Sequence, residues 1–197
     1  MMLKERLDER FGQFKSMGIR NVKELLLLLK RKETLTELSA VECLAGDYLI
    51  ILLRELNSML PKPNSIADFT GIAPDTVDRL VRVGIKNTEK LYYRVLTHAQ
   101  RTALSEVTGI SIGEILELAK LSDLSRVKWV GVTFARMLYE LGVDTVEKAT
   151  QADPVALQAH LNQLNREKNF YKGTIGLNDI RIFVEMAKEL PLEIEWE

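Results

Sequence analysis

The stretch RVGIKNTEKL, residues 82–91, decides how this chain folds, because the chain writes it three times. It returns as ELGVDTVEKA at 140–149 and stands near the start as SMGIRNVKEL at 16–25. In each copy an apolar residue (Val83, Leu141, Met17) precedes a glycine and a β-branched one (Ile85, Val143, Ile19) follows it. A helix commonly ends beside a residue in left-handed backbone, which glycine adopts without a Cβ penalty. Three positions past each glycine stand Asn87, Thr145 and Asn21, side chains suited to cap a succeeding helix. The decapeptide therefore reads as helix, glycine turn, helix. On its own it is structural.

Working outward, Gly18, Gly84 and Gly142 are 66 and then 58 residues apart. At the first offset Phe14 matches Leu80, Leu25 matches Leu91, Leu38 matches Leu104, Leu44 matches Ile110 and Leu49 matches Ile115. At the second, Leu80, Val83, Ile85 and Leu91 match Leu138, Leu141, Val143 and Ala149. A fixed internal period is the mark of repeated supersecondary units. Three units are expected, 1–63, 64–122 and 123–191, followed by a tail at 192–197. Two prolines in LPKPNS (60–65) break the helical pattern between the first two. No such break separates the second and third, which are expected to pack as one body.

Within the units the spacing is helical: Val77, Leu80 and Val81 share a period, as do Ile115, Leu118 and Ala119. Asp153-Pro154 reads as a helix start, with Thr97, Ser111 and Asn178 as further N-cap candidates. The tail LEIEWE is the one place where alternation hints at a strand, and it is too short to decide. The fold class expected is all-α.

Composition narrows the function. The chain is 46% hydrophobic and 28% charged over 197 residues, enough to bury a core. A net charge of −1 argues against a globally basic nucleic-acid binder while leaving room for a local patch. Cys43 is the lone cysteine, which excludes an internal disulfide, and its apolar run AVECLAGDYLIILL makes it a buried small hydrophobe. The apolar runs at 25–29 and 48–53 fall far short of the roughly 20 residues of a membrane span. The opening MMLKERLDER is no basic-then-apolar leader. A cytoplasmic, soluble protein with no membrane partner is the expectation.

A more suggestive signal lies upstream of two of the glycines. FTGIAPDTVDRLVRVGI (69–85) and VKWVGVTFARMLYELGV (127–143) each place a short glycine-containing turn before a helix, and VTGISIGEILELAKL (107–121) looks like a further copy. These segments resemble the helix-hairpin-helix motif, whose hairpin reads Gly-hydrophobic-Gly with a small residue inside the second helix. Aligning Ala73 with Gly131 sets Gly71 opposite Trp129, so each copy keeps one of the two glycines. Ala135 fills the small position in the third unit, Val77 in the second, and Glu5 to Leu7 carry no hairpin glycine in the first. The run from TGIS through LSDLSRVKWVG and LYELGVDTVEKA to LQAHLNQLNREKN is similar to the uncharacterised domain-of-unknown-function family numbered 4332. That resemblance covers residues 64–191 and implies a tandem helix-hairpin-helix (SAM-like) fold, with an N-terminal related helical unit and no stated activity.

Hairpins of this type turn backbone N–H groups at a helix N-terminus toward a phosphate, so contact with DNA or RNA backbone would be sequence-independent and salt-sensitive. The third unit offers the best candidates: Val130, Gly131 and Thr133 in the turn and helix start, flanked by Arg126, Lys128 and Arg136. The Thr133 hydroxyl is placed to cap the helix or to meet a phosphate. Trp129 holds the first glycine position, where an indole either blocks close approach or packs beneath the turn as core; packing is the preferred reading. The second unit surrounds its turn with Asp68, Asp75 and Asp78, and TGISIGE adds Glu106 and Glu114, all of which repel phosphate. NREKNFYKG (165–173) interleaves Phe170 and Tyr171 with basic residues, a pattern suited to single strands, although a solvated helix end with two core aromatics is the preferred reading.

Catalysis has nothing behind it. His98 and His160 lack metal-ligand spacing, Ser105 near His98 lacks an oxyanion feature, and no Walker A, dinucleotide fingerprint or carboxylate dyad appears. No catalytic residue, metal or cofactor is expected. Two functions remain: non-specific nucleic-acid binding through the 126–136 hairpin, favoured by family analogy, and a protein-interaction or self-association module with structural hairpins, favoured by the near-neutral charge.

Overall fold

A computed structural model describes residues 2–59 and 61–196, and among them the chain is all-α, with no β-strand. It divides into two compact units, Met1–Leu60 and Pro61–Glu197. The first holds α1 (Leu7–Ser16), α2 (Val22–Leu29), α3 (Lys32–Ser39) and α4 (Gly46–Met59). Helices α2 and α3 pack on α4 around Phe14, Leu25, Leu44, Tyr48 and Leu49. Arg10 is buried there; its Nε donates to the Cys43 carbonyl at 2.7 Å and its guanidinium lies 3.8 Å from the Tyr48 ring centre. Cys43 is buried, as its apolar run requires.

The second unit continues with α5 (Pro74–Arg82), α6 (Thr88–Tyr92), α7 (His98–Thr108) and α8 (Ile112–Leu124), then α9 (Val132–Glu140), α10 (Val146–Gln151), α11 (Pro154–Lys168) and α12 (Leu177–Lys188). The packing order of the first unit recurs twice. Helices α6 and α7 lie on α8, and α10 and α11 lie on α12. One buried cluster gathers Ile66, Leu80, Ile85, Leu91, Leu104 and Ile115; the other gathers Leu124, Val127, Leu138, Val146, Leu161 and Ile180.

The three decapeptides form one and the same corner. Gly18, Gly84 and Gly142 have φ of 81°, 82° and 77°. The residue after each closes a bond back across the helix end, Ile19 to the Phe14 carbonyl at 3.1 Å, Ile85 to Leu80 at 2.9 Å and Val143 to Leu138 at 3.1 Å. The glycine amides bond to Lys15, Val81 and Tyr139 in the same pattern, a Schellman cap that satisfies carbonyls the helix leaves open. Asn21, Asn87 and Thr145 then accept from the third amide of α2, α6 and α10. Thr97 and Ser111 close capping boxes on α7 and α8, and Asp153 caps α11 with Pro154 in its first position.

Two local expectations change, and the tail, open in the sequence, takes a definite course. Asn178 lies inside α12, whose N-cap is Gly176. Val81 points outward, because the short helix α5 turns Leu80 and Thr76 inward and a residue next to Leu80 is rotated by about 100°. The tail forms no strand. It crosses the second unit as a strap, with the Glu195 amide on the Leu96 carbonyl at 2.8 Å and the Tyr92 hydroxyl donating to Glu193 at 2.7 Å. Asn64, just past the prolines, donates from its side chain to Ser125 Oγ and to the Val130 carbonyl, both at 3.1 Å. It thereby fixes the turn that leads into α9.

At the Gly142 corner Asp144 is buried and accepts from Lys120 of α8 and Lys148 of α10. Burial pushes its carboxyl up, but the two ammonium hydrogen bonds outweigh that and hold it below the ordinary aspartate value of 3.8. A lowered carboxyl pKa gives stability that is present above the unfolded value and lost as pH falls through the folded one. The urea-stability gap between wild type and Asp144→Asn should therefore be widest at neutral pH and close below about pH 4. A gap independent of pH would contradict this. At Gly84, where an added Cβ meets nothing within 4 Å, Ala should still cost about 1–2 kcal/mol through backbone strain alone, read from the same urea curves.

Candidate nucleic-acid interface

Two turns lead into α5 and α9 by the same geometry. The Ile72 amide bonds to the Phe69 carbonyl at 3.4 Å and the Val130 amide to the Val127 carbonyl at 3.1 Å. Each is a four-residue turn whose third residue must take positive φ, the requirement of a type II turn. In the first that residue is Gly71, φ 90°. In the second it is Trp129, φ 68°. An indole in left-handed backbone is a steric outlier, since the Cβ crowds the following carbonyl.

The expectation that Trp129 packs beneath its turn is corrected here: the residue is 71% exposed. The positive φ throws its side chain outward, and Val127 and Val130 fill the core below it instead. Lys128 Nζ lies 4.6 Å from the centre of the indole ring.

The cations divide sharply. Arg126 donates to Asp123 Oδ1 at 2.7 Å and stacks 4.5 Å from the Tyr92 ring centre. Asp123 is itself buried and also receives the Val146 amide at 2.8 Å. Burial raises its carboxyl above the ordinary range, opposed by that amide and by Arg126. Arg136 is only 7% exposed, and its Nη1 donates to Glu117 Oε1 of α8 at 2.7 Å. Its Nη2 reaches beneath the other turn, 3.5 Å from where a Cβ on Gly71 would stand. Both arginines thus hold α8, α9 and the turns together. Lys128 is the cation of the expected three that no ion pair claims among the described residues.

The helix start itself is open. Gly131 is the N-cap of α9, extended at φ −85°, with no side-chain cap and nothing within 4 Å of the space a Cβ would fill. Thr133 is exposed in the first turn rather than at the cap, so its hydroxyl does not close the helix. Among the described helices of eight or more residues, α9 is the one whose first turn has neither a side-chain cap nor an acidic residue. Asp75 occupies the first turn of α5, and Glu114 with Ser111 closes α8.

Beside this turn opens a cleft of about 560 Å³, which the sequence did not reveal. Phe134 and Met137 of α9 line one wall, Ile180 and Phe183 of α12 another, with Trp129 and Tyr171 at its mouth. Phe134 and Phe183 meet edge to face at 5.4 Å between centres. Phe134 and Met137 stand three positions apart on α9, whereas the α12 residues they face are more than forty positions away. Phe170 packs against the core, whereas its neighbour Tyr171 is partly exposed. Among the described residues there is no cluster of three or more metal-ligating side chains, and no helix is long and apolar enough to cross a membrane.

Residues 70–190 match the model of a family described as a domain of unknown function, DUF4332. No curated protein and no solved structure matches the chain.

The division of the cations predicts unequal responses to charge reversal. Arg136→Glu, which sets a buried carboxylate against the half-buried Glu117, should lower unfolding stability by roughly 3 kcal/mol. Lys128→Glu should stay within about 0.5 kcal/mol of wild type. Equal losses in chemical denaturation would show that Arg136 is not the internal strut described.

Proposed function

We propose, for a chain that belongs to the DUF4332 family, that it is a nucleic-acid-binding protein without catalytic activity, receiving the phosphate backbone at the start of α9. The observation that carries this reading is the open N-terminus of α9, reached through the exposed residues Gly131 and Thr133 and flanked by Lys128. Unpaired amides and the helix dipole favour an anion at such a terminus. A missing Cβ at Gly131 lets a phosphate approach closely. The turn-and-helix segments 69–82 and 127–140 fit a helix-hairpin-helix arrangement, and in this chain only the second presents a helix start free of carboxylates. Contacts of this kind read no bases, so binding would be independent of sequence and would weaken as salt rises.

A second reading has its own support. With Arg126 and Arg136 engaged in internal ion pairs, Lys128 alone of these three cations is left beside the turn, and the cleft next to it is largely apolar. Those features suit a protein partner or self-association.

Gly131→Asp separates the two readings. An aspartate at the N-cap accepts amides of the first turn and should stabilise α9 by a few tenths of a kcal/mol over glycine. The same carboxylate fills the phosphate position. Wild type should bind labelled DNA at about 50 mM salt with affinity falling as salt rises, while the variant folds at least as well and binds weakly or not at all. Failure of the wild type to bind under those conditions would end the nucleic-acid reading.

A further inference from the structure

We infer that the cleft beside the 127–130 turn takes an unpaired base, so that this surface prefers single-stranded nucleic acid to duplex. The inference rests on the phosphate reading above and adds the identity of the strand. It begins with Trp129. The turn requires positive φ at this position, and the sister turn meets the requirement with Gly71. An indole there strains the backbone, yet with 71% of its surface exposed it returns little burial to the fold. Within the chain its ring meets chiefly Lys128, and its broad outer face is left for a guest.

The cleft supplies the shape of the guest. Trp129 and Tyr171 stand at its mouth, both exposed, and Phe134 and Phe183 lie deeper. Aromatic faces of this kind stack on flat rings, and every base offers one. Asp179 also lines the cleft and gives an acceptor for the exocyclic amino groups of bases. Thr133, in the first turn of α9, and Lys128 line the same cleft. The guest that fits is thus a flat, largely apolar ring carrying an anion at one end. A nucleotide in a single strand has that form. In a duplex the base faces are already stacked on one another, and a base must be flipped out before it can enter.

The test uses the full-length chain and three fluorescein-labelled probes of about 20 units each, a mixed-sequence single strand, the same strand annealed to its complement, and an abasic strand. In low-salt anisotropy titrations the single strand should bind at least about 10-fold more tightly than either other probe. Trp129→Gly should reduce the single strand to the abasic level while its melting temperature stays at or above that of wild type. Duplex or abasic strand binding as tightly as the single strand, and still lost in Gly131→Asp, overturns the inference and leaves the phosphate reading standing. No binding of any probe removes both. A Trp129→Gly change that dissociates a self-associated species in light scattering, with oligonucleotide affinity unchanged, assigns the cleft to a second copy of the chain and overturns the inference.

Discussion

A helical chain this short of proline and this rich in corners depends on single residues crossing into left-handed backbone. Gly18, Gly84 and Gly142 make that crossing at helix ends, and the residue after each returns a bond to the helix it has just left. Gly71, Gly109 and Trp129 make it three residues before α5, α8 and α9 begin. The packing of α2 and α3 on α4, repeated by α6 and α7 on α8 and by α10 and α11 on α12, follows from where those crossings fall. Five of these six positions use glycine, at no steric cost. The sixth uses the bulkiest side chain available, and it stands at the mouth of the cleft.

The charges near that cleft serve two ends. Arg126 and Arg136 neutralise Asp123 and Glu117 and tie α8 to the turns around it. Burying such a pair contributes little net stability, but removing one partner strands the other. What remains for an outside anion is chiefly backbone: the open first turn of α9, with Lys128 beside it. Recognition built that way would be modest in strength and sensitive to salt. It would also need a second source of affinity, which an aromatic cleft can supply.

Much of the fold was legible because its signals are local. Each glycine corner, the Asn and Thr caps three residues on, and the starts at Thr97, Ser111 and Asp153 involve contacts spanning a few residues. The interface was less legible because its decisive contacts are distant in sequence. Glu117, the partner of Arg136, lies nineteen residues upstream on α8, and Arg126, besides the nearby Asp123, is held by the Pro191 carbonyl sixty-five residues on. At its glycine position Trp129 is expected to pack beneath the turn, and only the φ demanded by that turn sends it outward. The cleft walls come from α9 and α12, whose approach no local pattern records.

On the proposed reading, the outward-facing chemistry of this chain would be concentrated where α9 begins. Backbone and indole NMR of the ¹⁵N-labelled protein, titrated with a short single strand at low salt, tests it directly. The amides of Gly131, Val132 and Thr133 and the indole of Trp129 should shift first and furthest, saturating together. Shifts centred on the Gly71 turn, or on residues 2–59, with the start of α9 unmoved, would contradict it.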